Sequence, residues 1–374
     1  MLSATLPPKN TGVSASLRVR KFPPLKGINE IACLRFFVPL FLILGVIGVA
    51  NPAGPRSFAE AASSEVEKAQ SEGEVVWYTT TSNVDNLAIV KAFNEKYPFI
   101  RVQILRTTGE KLRTRILAEG TAGKYFADTV GLNAMEMSLL KSKNLLLSYP
   151  SPEAASYPSG VKDPDGAFTG MYARNFVIGY NTLMVSKDAI PQDWPDLLDP
   201  RWKGKIGLDE EEFEWFGTLV DYWGREKTIR FMKALADQQP QLRRGHTLLA
   251  QLLAAGEFPV AVVFPYQVEQ FKHKGAPTDW VTSSDAIVTS VSTIGVSARA
   301  PHPNAAKVLL NFVLSVEGQT VFRDLFRVPV RPGISPLAPR LEQSRLKIHY
   351  VPGDMFKKIA QYEKEFREIF WKGR

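Results

Sequence analysis

The chain reads as an α/β protein of two domains, each a mainly parallel sheet flanked by helices. Three observations predict this. Short apolar or β-branched runs alternate with helical stretches, the pattern of parallel strands joined by helices on both faces. At 374 residues the chain exceeds one ordinary core. Its composition, 45% hydrophobic with 11% aromatic residues, supplies apolar surface for two.

Taken in order, residues 63–72 read as a short capped helix, and Val75-Val76-Trp77-Tyr78-Thr79 as a buried strand by its β-branched and aromatic content. A helix over 84–97 follows and is stopped by Pro98. Residues 101–106 form a second strand, 109–119 a helix with Leu112, Ile116 and Leu117 on one face, 127–132 a third strand, and 135–143 a third helix. The Pro-, Ser-, Gly- and Asp-rich stretch 148–170 is a surface loop. A strand over 172–178 is expected to break at Gly179-Tyr180-Asn181-Thr182. Lys205–Leu208 starts a new strand, and helices are expected over 213–223, 228–238 and 247–255. Phe258–Phe264 is another buried strand with a helix over 266–274 behind it. Residues 286–291 lead to a strand at Thr293–Ser297. A helix carrying Val308, Leu309, Phe312 and Val313 follows, and Gly318 is expected to break it before a second helix. Phe356–Trp371 is an amphipathic terminal helix.

The formal charge of +8 is local. Residues 1–59 hold seven Lys and Arg against Glu30 alone, leaving 39 basic and 37 acidic residues in the body. No basic block with interleaved aromatics follows, which argues against nucleic acid as a partner. Phe36–Ala50 is an uncharged apolar run, short for a membrane span, preceded by basic residues and followed by Ser57-Phe58-Ala59. It reads as a secretory signal with cleavage after Ala59; an uncleaved membrane anchor through Phe36–Ala50 is the alternative. Cys33, the single cysteine, lies in this leader, so the body is free of thiols, as suits export. G-x-S-x-G, P-loop and H-E-x-x-H patterns are absent, and His246, His273, His302 and His349 make no metal-ligand spacing. An enzyme is therefore not expected.

Four blocks stand in one order: GYNT (179–182), W-x-D-L-L-D-P-x-W-K-G-K-I-G (194–207), GEFPVAVVFPYQVEQF (256–271), and PNAAK with SVEGQ (303–319). Together they resemble the iron(III)-type extracellular solute-binding proteins of ABC transporters. The resemblance implies the type II periplasmic binding protein fold, two α/β lobes joined by crossover hinge strands around a ligand cleft. It places residues 60–178 and 292–340 in lobe 1 and 179–291 in lobe 2. Residues 1–59 are leader, and the lobe of the 341–374 helical segment is left open. In such sheets ligands sit beyond the carboxyl ends of strands, where helix N-termini favour anions and polar groups.

Candidate ligand contacts follow from that placement. Thr80, Thr81 and Ser82 end the first strand and open the first helix; Ser82 also suits a plain helix cap. Asn133 ends the third strand. Arg174 is a natural partner for a carboxylate or phosphate, or for an inter-lobe salt bridge. In the acidic stretch 209–214, Glu212 with Trp215 beside it could enter the cleft and recognise a cationic group or metal, or simply form a solvated first helical turn. Tyr266 stands where the resemblance places an iron-ligating tyrosine pair, but its neighbours are Pro265 and Gln267. With the pair broken, a small polar or anionic solute or a metal chelate is expected over a bare ferric ion, for which Tyr266 and Glu212 would be the ligands. No cofactor is expected. The resemblance implies a periplasmic monomer that closes on its solute and docks on permease subunits served by a separate ATPase. A membrane-anchored sensor and an exported enzyme are the alternatives.

Overall fold

The computed structural model describes residues 58–371 apart from 284 and 286, with side chains from 64 onward. Most of the leader, including Phe36–Ala50, lies outside the described residues. The expected cleavage point after Ala59 falls in the first turn of α1 (Phe58–Glu72), which begins earlier than the helix read from Ser63.

In β1 (Glu74–Thr79) the alternation puts Val75 and Trp77 in one core and Tyr78 in another, all essentially inaccessible. Helix α2 (Asn83–Lys96), β2 (Arg101–Arg106), α3 (Gly109–Thr121), β3 (Thr129–Asn133) and α4 (Ala134–Ser142) complete two β-α-β units, with β1 pairing parallel to both β2 and β3. β4 (Thr169–Asn175) belongs to the same sheet. The chain leaves it at Phe176, and β5 (Val177–Asn181) pairs elsewhere. The expected break at Gly179 is therefore inside a strand. A Cβ on Gly179 would lie 2.5 Å from Val263 Cγ2, so glycine serves close packing there and not a turn.

The second lobe comprises β6 (Ile206–Asp209), α5 (Phe213–Trp223), α6 (Arg225–Asp237), β7 (Gln241–Arg243), α7 (His246–Ala255), β8 (Val260–Val263), α8 (Pro265–His273) and β9 (Thr278–Trp280). The chain then returns through β10 (Ile287–Val296), buried along its whole length. α9 (Pro303–Leu314), α10 (Val316–Asp324), β11 (Val328–Pro329), β12 (Ile348–Tyr350) and α11 (Ile359–Phe370) finish the described chain. The break between α9 and α10 is at Ser315, whose hydroxyl accepts from Gly318 N–H. Gly318 sits inside α10, where a Cβ would meet Phe312 O at 2.2 Å.

Among the described residues there are two sheets. One has seven strands in the order β11-β4-β10-β3-β1-β2 with β12 beside β10; the other has five in the order β7-β6-β8-β5-β9. The β-α-β cores of both are parallel, as read from the alternation. The strands next to each crossing, β4, β5 and β10, pair antiparallel with their neighbours in β3, β8 and β9 or with each other. The terminal helix α11 packs on α5 and α6: Tyr362 meets Phe216 edge-on at 5.6 Å. Its polar side reaches α3, where Arg113 Nη2 donates to Glu363 Oε1 (2.7 Å) and Arg367 Nη2 donates to Glu110 Oε1 (2.5 Å).

Candidate functional site

The carboxyl ends of β1, β2 and β3 and the starts of α2, α3 and α4 face the ends of β6 and β8 and the starts of α5, α7 and α8. The gap between them is a cavity of about 130 Å³. By the volume one water requires, that is room for about ten waters or one small solute. Thr108 at the mouth of α3 reaches across and donates from Oγ1 to Glu211 Oε1 (3.3 Å), so the two walls touch at the rim.

Six of the eight residues singled out from the sequence line this gap: Thr80, Ser82, Asn133, Arg174, Glu212 and Tyr266. Ser82 and Asn133 cap helices, accepting from Asp85 N–H (3.3 Å) and Glu136 N–H (2.8 Å). Arg174 lies at the crossing: Nη2 donates to Glu214 Oε2 (3.0 Å) and to Ser290 Oγ (2.6 Å), and Ser290 in turn donates to Glu214 Oε1 (2.7 Å). The inter-lobe salt bridge therefore forms, yet Arg174 still faces the cavity and its buried Nε has no hydrogen-bond partner.

The other two are placed away from the gap. Thr81 is buried behind the first wall, its Oγ1 3.0 Å from the Tyr172 hydroxyl. Trp215 points the opposite way from the α5 N-terminus, into the core against Trp194 with ring centroids 4.9 Å apart. Successive helical residues diverge by 100°, so Glu214 and Trp215 cannot share one face.

The structure adds residues that sequence reasoning missed. Arg327, in the connection before β11, is buried between Tyr172 and Tyr266, its guanidinium 4.3 Å and 3.8 Å from the two ring centroids. Its Nε donates to Asp85 Oδ2 (2.8 Å), and Nη2 also donates to that oxygen. No local signal marks Arg327, because its partners come from α2, β4 and α8. Glu136, three residues after Asn133 in the first turn of α4, could have been found from the strand-end rule. His246 opens α7 and stacks on Phe264 at 3.8 Å.

The electrostatics of the gap are dominated by buried carboxylates. Burial pushes Asp209 up to about 7; Glu212 adds to the rise and His246 opposes it. Burial likewise raises Glu136 to about 7 against the pull of Arg113, and holds Glu212 well above the usual carboxylate range, helped by Glu214. Burial lowers His246 to about 4, so its ring is neutral. These shifts have opposite consequences for stability. Asp209 ionises near 3.8 in the unfolded chain and near 7 in the fold, so its contribution is full below about 4 and is lost as pH rises through 7. His246 contributes stability that is present above 6.5 and lost as pH falls through 4. We expect Asp209→Asn to flatten the decline in melting temperature between pH 5 and 8. An unchanged slope would mean that Asp209 is already ionised in the fold.

Two α/β lobes enclosing a small, polar, largely buried gap at their strand ends define a cleft-binding protein. The chain belongs to the bacterial extracellular solute-binding protein family, whose model matches residues 129–356. Members of that family are binding proteins rather than enzymes. An uncharacterised Haemophilus influenzae protein is 24% identical over 266 residues, 67% of this chain and 75% of that one. A Serratia marcescens Fe(3+)-binding periplasmic protein is 21% identical over 244 residues, covering 60% and 69%. The periplasmic binding protein AfuA from Actinobacillus pleuropneumoniae, solved with fructose-6-phosphate bound, shares the fold with a TM-score of 0.75 at 22% identity. That match covers 81% of this chain and all of that one. The iron(III)-type resemblance and the two-lobe fold read from the sequence are thereby borne out, and the protein is a solute-binding receptor of the type that serves ABC importers. Among the described residues no helix is long and apolar enough to cross a membrane.

Proposed function

We propose that the protein is exported to the periplasm, works as a monomer, and encloses a small polar organic solute between its lobes. It then presents the closed form to permease subunits driven by a separate ATPase. The observation that carries the solute reading is the set of buried polar atoms lining the gap without hydrogen-bond partners: Arg174 Nε, Glu212 Oε1 and Gln267 Oε1. Buried polar groups are nearly always paired, so such a set at a lobe interface is matched by something that enters. Hinge closure would bring the solute's own donors and acceptors to these atoms.

A ferric ion as cargo is the second reading, favoured by the name of the Serratia relative. Bare Fe³⁺ calls for several anionic oxygens. The phenol of Tyr266 is raised by burial, although Arg327 over its ring opposes the shift. Among the described residues no group of three or more His, Cys, Asp and Glu is placed to hold a metal. The organic solute is therefore the stronger reading.

A thermal-shift screen of the purified protein against carboxylates, phosphonates, polyamines, thiamine-like compounds and ferric chelates tests both. For whichever compound binds, Arg174→Ala is expected to weaken affinity about 10- to 100-fold, as loss of a charged hydrogen bond does, with Tyr266→Ala also weakening it. If neither substitution changes affinity, the solute sits elsewhere.

A further inference from the structure

We propose that the solute is a small organic cation, carrying an ammonium or guanidinium group, and that Glu212 is the carboxylate that receives it. This deepens the receptor reading above and rests on it.

Six carboxylates line the gap against three guanidinium groups. Most of these charges already have partners. Arg327 is held by Asp85, and Arg174 by Glu214, although the Arg174 Nε has no hydrogen-bond partner; Arg106 is exposed and makes no ion pair among the described residues. Glu136 faces Arg113 at 3.5 Å, Glu110 pairs with Arg367, and Glu211 lies 3.7 Å from Arg244. Asp209 accepts backbone N–H groups from Glu211 (3.0 Å) and Gly245 (2.9 Å).

Glu212 is different. It is 2% exposed, it lines the gap, and its Oε1 has no hydrogen-bond partner. The nearest basic atom is His246 Nε2 at 3.4 Å. That ring is stacked on Phe264 and is held neutral by burial, so it supplies no charge. A carboxylate taken out of water without a donor is costly to keep, unless a donor arrives with the ligand. Gln267 Oε1, in a side chain 4% exposed, is a second acceptor without a donor. Phe176, Phe213 and Phe264 also line the gap and would pack a carbon skeleton.

An anion fits less well. The positive ends of α2, α3, α4 and α5 are each met by an acid in the first turn: Asp85, Glu110, Glu136 and Glu214. The sequence reading expected helix starts in general to favour anions and polar groups, and the start of α5 to meet a cationic group or metal; at these four starts the charge preference is already answered from within the chain, while α8 opens without an acid.

The test is calorimetric titration of the purified protein with 1,4-diaminobutane, 4-aminobutanoate and 4-aminobutylguanidine. Butane-1,4-diol and butanoate serve as matched compounds without the nitrogen. Inorganic phosphate, citrate and ferric citrate form the anion and metal arms. At least one amine or guanidine is expected to bind, with its nitrogen-free match at least about tenfold weaker, the loss of one charged contact. Glu212→Gln should weaken that binding about tenfold or more. Because this substitution keeps the shape and leaves no carboxyl to ionise in a buried site, the empty variant should melt no lower than the parent.

The comparison of each amine with its nitrogen-free match uses the parent protein and does not depend on the variant folding. Glu212 sits among Asp209, Glu211 and Glu214, with Arg174 from β4 and His246 from α7, and burial holds its carboxyl well above the usual range. Binding in the phosphate, citrate or ferric arm with none by any amine would overturn the cation inference and leave the receptor reading standing. So would amine binding that is indifferent to Glu212→Gln. If no compound of any charge binds, both readings fall.

Discussion

Replacing Asp85 with alanine is expected to lower the unfolding free energy by about 3–5 kcal/mol, the cost of leaving one half of a buried ion pair behind. Asp85 is 1% exposed in the first turn of α2, and Arg327 is 3% exposed before β11. The guanidinium is not free to turn to water, because Tyr172 and Tyr266 hold its two faces. Burial alone would lower the Arg327 pKa, but Asp85 and the two phenols keep it raised, so the charge persists at every pH of interest. Denaturant unfolding at constant m-value would measure the loss. A deficit under about 1 kcal/mol would show that solvent reaches the guanidinium, as at exposed pairs. Because Tyr266 belongs to α8 and Tyr172 to β4, the same substitution should also loosen the wall of the gap and weaken solute binding.

Trp215→Ala should cost about 3–5 kcal/mol, typical of removing a large aromatic from a packed core. Its ring is fully buried, edge-on to Trp194 at 4.9 Å and to Phe231 at 6.1 Å. This outcome separates two placements of the residue. A core role predicts a large loss of stability with solute affinity unchanged in the folded fraction. A cleft role predicts the reverse, and affinity measured well below the lowered melting temperature decides between them.

The contrast between Glu212 and Trp215 shows what was legible before any coordinates. Both stood out as an odd acidic-aromatic stretch at a helix start, but sequence alone does not give the rotational phase of a helix whose first turn is irregular. The parallel cores were readable because β-branched runs and amphipathic helices alternate, and the four blocks fixed the family. The crossings were placed only through the resemblance, and only to within a few residues. Val177–Asn181 carries the same apolar signal whichever sheet it joins, and Phe176 looks like any strand residue although it is where the chain changes sheets. Short edge strands such as β7, β9 and β12 have too few residues to show a period. Arg327 was invisible for another reason: its importance is created by three elements distant in sequence.

The last helix carries a mechanical implication. α11 is seated by Tyr362 and Phe366 on the second half of the molecule, yet its guanidinium and carboxylate contacts, Arg367 with Glu110 and Glu363 with Arg113, are moored to the first. Any gaping of the two halves must stretch or sever these moorings. This helix therefore works as a tether across the jaws: parting them costs two charged contacts, whatever cargo they carry.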